Sequence, residues 1–193
     1  MFHRAFAVLS AAALFLAACA ATPSAGPDSP PALRPADGHF AGLQSLCGKR
    51  FAGRLTSTDP LDADFAGKPL VMGIVACTGS EVRIPLAVGE DRSRTWIITR
   101  TPEGLRLKHD HRHSDGTEDL LSRYGGDSLD PGAAGRQEFP ADAFSRALFL
   151  EKGNPASVAN VWATELRPGQ SFSYELRRPG RFFRVEFDLT RAL

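Results

Sequence analysis

Apolar and charged residues alternate strictly near the C-terminus of the chain. Between residues 183 and 189 the sequence reads Phe-Arg-Val-Glu-Phe-Asp-Leu, so every odd position is apolar and every even position is charged. Successive side chains of a β-strand point to opposite faces. This pattern therefore predicts a half-buried strand with one face in a hydrophobic core and the other toward water.

Similar patterns recur along the chain, separated by turn residues such as Pro102-Glu103-Gly104, Pro168-Gly169 and Pro179-Gly180. Strands are predicted at residues 51–55, 69–78, 81–88, 94–101, 105–113, 118–124, 160–166, 172–177 and 183–189. Residues 124–135, rich in Gly and Asp, are predicted to form a loop.

One helix is predicted at residues 140–152. Pro140 suits the first helical turn, and Gly153 would end the helix. Phe144, Ala147 and Leu148 have the spacing of an apolar stripe on one helix face.

These elements predict a mainly β fold. Short connections favour antiparallel neighbours, and a sheet of eight or nine strands hides its edges best by closing on itself. We therefore expect an antiparallel β-barrel, or alternatively a sandwich, with one α-helix before the last three strands.

The N-terminus has the features of an export signal. A short basic segment, His3-Arg4, precedes an apolar stretch at residues 5–15 and the sequence Leu16-Ala17-Ala18-Cys19. This arrangement resembles the lipobox signal of bacterial lipoproteins; the alternative is a simple secretory signal with an incidental Cys.

The resemblance implies cleavage after Ala18 and acylation of Cys19, which would anchor the protein in a membrane. Because Ala20 and not Asp follows Cys19, the resemblance implies a location in the cell envelope, at the outer membrane facing the periplasm. The expected organisation is a signal peptide at residues 1–18, a lipidated Cys with a flexible linker at 19–38, and one β-rich domain at 39–193.

The predicted barrel also resembles the cups of calycins and lipocalins. It departs from lipocalins in its first strand, where Gly48-Lys49-Arg50-Phe51 stands in place of a Gly-x-Trp signature. The resemblance therefore implies an architecture and no residue roles. The mature domain is also similar to uncharacterised lipoproteins of Gram-negative bacteria, which implies no activity.

Two cysteines remain once Cys19 is assigned to lipidation. Cys47 and Cys77 form an even pair in a compartment expected to be oxidising, so we predict a disulfide between them. Closing a loop of about thirty residues would stabilise the fold by roughly 3–4 kcal/mol. The alternative is a pair of free buried thiols.

Charge excludes one class of partner. The first eighteen residues contain one Arg and no acidic residue, so the remainder carries 22 basic and 22 acidic residues. A formally neutral domain implies no broad basic surface for nucleic acid.

Three of the five histidines lie close together, at His109, His111 and His113. On a strand at residues 105–113 they would share one face with Leu105 and Leu107. Three neutral imidazoles could bind zinc or another divalent transition metal such as copper or nickel. The alternatives are a strand-end cluster hydrogen-bonded to nearby acids or a Tyr, and a set of polar groups that orient a small ligand.

The absence of a catalytic motif favours a binding function. The sequence contains neither Gly-x-Ser-x-Gly nor His-Glu-x-x-His, and no phosphate-binding loop. We expect a membrane-tethered protein whose barrel binds a small apolar or amphipathic ligand. The alternatives are an envelope interaction module without a ligand and a metal-dependent enzyme or metal-binding protein based on the histidines.

Overall fold

The structure, a computed structural model, describes residues 33–128, 132–133 and 135–193. The predicted signal, Cys19 and most of the predicted linker lie outside these residues. The strands are β1 Arg50–Leu55, β2 Leu70–Gly73, β3 Ala76–Cys77, β4 Glu81–Val88, β5 Asp91–Arg100, β6 Leu105–His111, β7 Gly125–Asp127, β8 Arg136–Pro140, β9 Val161–Arg167, β10 Ser171–Arg178 and β11 Arg181–Asp188. The α-helices are α1 Pro35–Gln44 and α2 Ala143–Glu151, and short 3₁₀ helices lie at Pro60–Asp62 and Pro155–Ala159.

The strands form one antiparallel, nearly closed barrel, as predicted. Their order is β7-β6-β5-β4-β2-β1-β11-β10-β9-β8, and β3 pairs with β4. The edge strands β7 and β8 approach each other, and the backbone N–H of Asp142 donates to the Gly125 carbonyl at 3.0 Å. The described residues form eleven strands, more than the predicted eight or nine, and β3 and β7 are only two and three residues long.

Strand alternation fills the barrel as the sequence pattern predicts. In β11 the side chains of Phe183, Val185 and Phe187 are buried, whereas Asp188 is exposed. Each fully buried side chain of this size contributes roughly 1.5–3 kcal/mol of hydrophobic stabilisation. The largest aromatic side chains that are fully buried are Trp162, Phe40, Phe51, Phe139, Phe172 and Phe187.

Helix α1 covers one end of the barrel. It begins within the stretch predicted as linker, with Pro35 in its first turn, and it buries Phe40 and Leu43 completely. A Cβ on Gly42 would lie 2.5 Å from the Leu166 side chain, so the helix packs closely on the C-terminal end of β9. The predicted Cys47–Cys77 disulfide is present and ties the segment after α1 to β3.

Helix α2 lies before the last three strands, as predicted, but it begins later and buries a different face. Pro140 ends β8, and Asp142 caps the helix by accepting a hydrogen bond from the Ser145 backbone N–H at 2.8 Å. Ser145 and Phe149 are buried, whereas Phe144 is 54% exposed. The predicted apolar stripe is therefore wrong. The Ser145 hydroxyl forms hydrogen bonds with both the N–H and the carbonyl of Gly125, so the helix face that carries Ser145 packs against the barrel.

The segment between β6 and β7 also differs from the prediction. Residues 118–124 form no strand apart from one isolated bridge between Glu118 and Arg112. The Asp119 side chain accepts a hydrogen bond from the Leu121 backbone N–H at 2.7 Å, which is a local alternative to strand pairing. The next strand, β7, instead lies in the segment predicted as loop.

Neither α-helix of the described residues has the length and apolar character needed to cross a bilayer.

Candidate ligand-binding cavity

A cavity of about 380 Å³ lies at the end of the barrel remote from α1. Its wall includes side chains from β5, β6, β9, β10 and β11, and from the loops that follow β1, β6 and α2. Seven of the lining residues are Phe, Tyr or Trp: Phe65, Trp96, Tyr124, Phe149, Trp162, Tyr174 and Phe183. The barrel is thus filled at the α1 end and hollow at the other.

The aromatic wall is packed ring against ring. The Trp96 and Tyr174 rings stack with centroids 4.2 Å apart and planes 15° apart. Tyr124 stacks on His109 at 4.5 Å, and the rings of His109 and Trp162 lie 5.1 Å apart. Such contacts between rigid rings fix the shape of the cavity before any ligand arrives.

His109 is the most deeply buried polar group of the cavity wall, with 1% exposure. Its Nδ1 lies 3.0 Å from the Tyr124 carbonyl oxygen and its Nε2 lies 2.6 Å from the Tyr174 hydroxyl. A carbonyl oxygen can only accept, so Nδ1 carries the proton and Nε2 accepts from the Tyr174 O–H. Burial lowers the pKa of His109 from 6.5 to about 3, so the ring is neutral.

His111 lies nearer the mouth of the cavity and is half-buried. Its Nε2 forms a hydrogen bond with the Tyr124 hydroxyl at 3.2 Å. Burial, with the positive charge of Arg94 as a further cause, lowers the pKa of His111 below its ordinary value. Burial also raises the pKa of both Tyr124 and Tyr174, so these phenols stay protonated.

His113 does not share this wall. Strand β6 ends at His111, so the alternation that predicted three histidines on one face holds only for the first two. The side chain of His113 is 55% exposed, and its Nε2 lies 3.7 Å from Asp119 Oδ2.

The geometry does not bring the three histidines together as ligands of one metal ion. The rings of His109 and His111 are 6.3 Å apart, and both ring nitrogens of His109 already have partners within the protein. In the part of the chain that the structure describes, no three His, Cys, Asp or Glu side chains are arranged to hold a metal ion.

Three arginines surround the mouth of the cavity. Arg94 pairs with Asp91, and Arg181 pairs with Asp62 and, at 3.1 Å, with Asp59. The third, on β10, is Arg178, whose Nη1 donates to Asn160 Oδ1 at 3.0 Å.

Exposed apolar side chains also lie next to residues of the mouth. Leu120 precedes the lining residue Leu121, Leu150 follows Phe149, and Phe182 precedes Phe183. Single exposed apolar residues are ordinary on protein surfaces, and strand alternation points Phe182 away from the cavity.

No model of a known protein family matches this sequence, and no curated protein or solved structure matches the chain.

Sequence reasoning identified His109 and His111 but missed most of the cavity wall. The alternation predicts the strands that carry Trp96, Trp162 and Tyr174. The sequence therefore offered one signal for these residues, which is that each occupies a position on the inward-facing side of its strand. Their meeting depends on strand register, which pairs Trp96 with His109 across β5 and β6.

Proposed function

We propose that this protein is a lipid-anchored envelope protein whose barrel binds a small apolar or amphipathic molecule. The observation that carries the proposal is the aromatic cavity of about 380 Å³ at the uncovered end of the barrel. Small-molecule sites are typically concave, mostly apolar and roughly 300–1,000 Å³ in volume, with few polar groups. The volume is at the lower end of that range and favours a ligand of modest size.

The rigidity of the wall supports binding further. The neutral His109 joins the backbone of Tyr124 to the hydroxyl of Tyr174, and both phenols lie among packed rings. A wall that is ordered in advance does not lose side-chain entropy when a ligand enters, which lowers the cost of binding.

The proposed anchor is supported by sequence alone. The lipobox-like residues 16–19 follow a short apolar segment. Lipidation at Cys19 would hold the barrel at a membrane, and a Cys19→Ser variant tests this anchor. The proposed location is the outer membrane, facing the periplasm. Burial of acyl chains contributes roughly 0.8 kcal/mol per CH₂, and more than one chain gives stable anchoring.

Tryptophan fluorescence tests the binding function directly. The chain contains two Trp residues, and both, Trp96 and Trp162, line the cavity. The barrel and its core lie within residues 33–193, so residues 19–193 carrying Cys19→Ser keep the whole fold and can be purified without detergent. We expect 1-decanol to change the emission of this mature chain saturably.

A matched pair of variants locates the binding. Leu176 lines the cavity, so Leu176→Phe should fill part of it and weaken decanol binding about tenfold or more, a loss equivalent to about 1.4 kcal/mol. Leu150 is exposed on α2 and outside the lining, so Leu150→Phe should bind as the unmodified chain does. Failure of the mature chain to bind decanol or decanoate would refute the proposal and favour an interaction module without a ligand.

A further inference from the structure

We infer that the ligand carries an anionic head group, a carboxylate or a phosphate, which Arg178 binds at the mouth of the cavity. The apolar part of the same ligand then lies against the aromatic wall. This inference rests on the proposed function and specifies the chemical class of its ligand.

One face of β10 changes from apolar to cationic along the depth of the cavity. Tyr174, Leu176 and Arg178 occupy alternate positions of this strand, and all three line the cavity. Tyr174 is buried, whereas Leu176 and Arg178 are partly exposed. At about 3.3 Å per residue, the Cα atoms of Tyr174 and Arg178 are about 13 Å apart along the strand. An amphipathic ligand fits this gradient with its polar end at Arg178.

Arg178 differs from the other two arginines of the mouth. Arg94 and Arg181 have aspartate partners, as described above. Within residues 33–128, 132–133 and 135–193, no carboxylate lies at ion-pair distance from Arg178, and its side-chain hydrogen bond goes to the neutral Asn160. A guanidinium has five N–H donors, so Arg178 keeps donors and an uncompensated charge for a ligand.

Asn160 reinforces the preference for an anion. The guanidinium of Arg178 can only donate, so the Asn160 atom that faces it is the amide oxygen. The NH₂ group of Asn160, a residue only 5% exposed, then remains a donor. Two neighbouring groups that offer donors match the oxygens of a carboxylate or phosphate.

Asp119 is the acidic residue of the lining, and it has other partners. Its Oδ1 accepts from the Leu121 backbone N–H, and its Oδ2 lies 3.7 Å from His113 Nε2. It belongs to the segment between β6 and β7, and it forms no ion pair with Arg178.

The test compares ligands that share a chain and differ in their head group. The mature chain with Cys19→Ser is titrated at pH 7.5 with decanoate, decyl phosphate, 1-decanol and decyltrimethylammonium, with Trp fluorescence as the readout. We expect the two anions to bind more tightly than the alcohol and the cation to bind most weakly. Comparison of decanoate with decyl phosphate assigns the head group to one of the two anion types.

Arg178→Gln should weaken decanoate binding about tenfold to a hundredfold, the range for a charge-assisted hydrogen bond, and change decanol binding by about twofold at most. The matched control is Arg177→Gln. Arg177 is the adjacent residue of β10, points to the outer face and pairs with Glu138 at 2.5 Å, so its variant should leave both affinities within about twofold. Asn160→Asp, which places a carboxylate beside Arg178, should also weaken decanoate selectively.

The outcomes separate the inference from the proposed function. Equal binding of decanoate and decanol, unchanged in Arg178→Gln and Asn160→Asp, overturns the anionic head group and leaves the binding function intact. Tightest binding of the cation also overturns it. Absence of any binding refutes both. Unfolding curves of each variant confirm that the protein under test is folded.

Discussion

His109 is a histidine of the cavity wall that is almost completely buried, with 1% exposure. It is buried and neutral, and its two ring nitrogens join Tyr124 on the β6–β7 segment to Tyr174 on β10. A metal could take Nε2 only by displacing the Tyr174 hydroxyl, and a proton there would require that hydroxyl to change from donor to acceptor. His109 is therefore a structural part of the cavity wall, and we expect its depressed pKa to affect the free energy of unfolding.

The depressed pKa of His109 predicts a loss of stability in acid. The pKa is about 3 in the folded protein against an ordinary value of 6.5, so below pH 6.5 the unfolded chain binds a proton that the folded chain excludes. The contribution of neutral His109 to the free energy of unfolding is fully present above about pH 6.5 and is lost as the pH falls toward 3. Its size is on the order of a few kcal/mol, measurable by urea unfolding at several pH values.

A variant that cannot titrate isolates this effect. His109→Gln should show a shallower fall in the free energy of unfolding between pH 6.5 and 4 than the unmodified chain, because the variant lacks the imidazole that the unfolded chain protonates in this range. The carboxylates that titrate at lower pH are common to both proteins. The matched control is His113→Gln, which removes an exposed imidazole from the segment that follows β6. Parallel curves for His109→Gln and the unmodified chain would contradict the assigned role of burial.

Among the elements, β7 is short but lies against the end of β8, where the barrel nearly closes. Its backbone lies so close to the end of β8 that a Cβ on Gly126 would come within 1.8 Å of the Pro140 carbonyl oxygen. The same approach allows Ser145 of α2 to bond Gly125. A glycine here permits a contact between two backbones that any side chain would block.

Gly126→Ala should therefore destabilise the protein by about 3 kcal/mol, the upper range for overpacking, because backbone and not a flexible side chain must move. Urea unfolding measures the loss. The control is Gly79→Ala, at a turn where an added Cβ meets nothing within 4 Å, and its effect should stay within about 0.5 kcal/mol. Equal stability of the two variants would show that β7 and β8 are not closely apposed.

At the scale of the whole molecule, the proposed lipid anchor would determine the cellular location of the barrel and its cavity. Cys19→Ser should abolish incorporation of labelled palmitate in cells, because its thiol is the proposed acceptor of the lipid. The uncleaved precursor should then accumulate. Cys47→Ser serves as the control, since it removes the disulfide cysteine and leaves the proposed acceptor in place. Labelling that persists in Cys19→Ser would instead support a simple secretory signal.

The sequence alone determined those features of the barrel that depend on local chain geometry. The two-residue period of side-chain direction is a property of the extended backbone, so the apolar face of β11 and the inward direction of His109 and His111 follow from reading alternate residues. The disulfide followed from counting cysteines once Cys19 was set aside. Alternation also predicted the barrel, and Pro140 and Gly153 predicted a helix before its last three strands.

Only the tertiary structure decided what meets at the cavity. Tyr174 lies 65 residues from His109, and Trp96 reaches Tyr174 across the barrel interior, so neither contact leaves a local trace in the sequence. The buried face of α2 was set by a Ser145 bond to Gly125, which outweighed the apolar spacing that predicted another face. Local periodicity says which way a side chain points. Strand register and the packing of distant segments determine what it touches, because those contacts are chosen by the energy of the whole core.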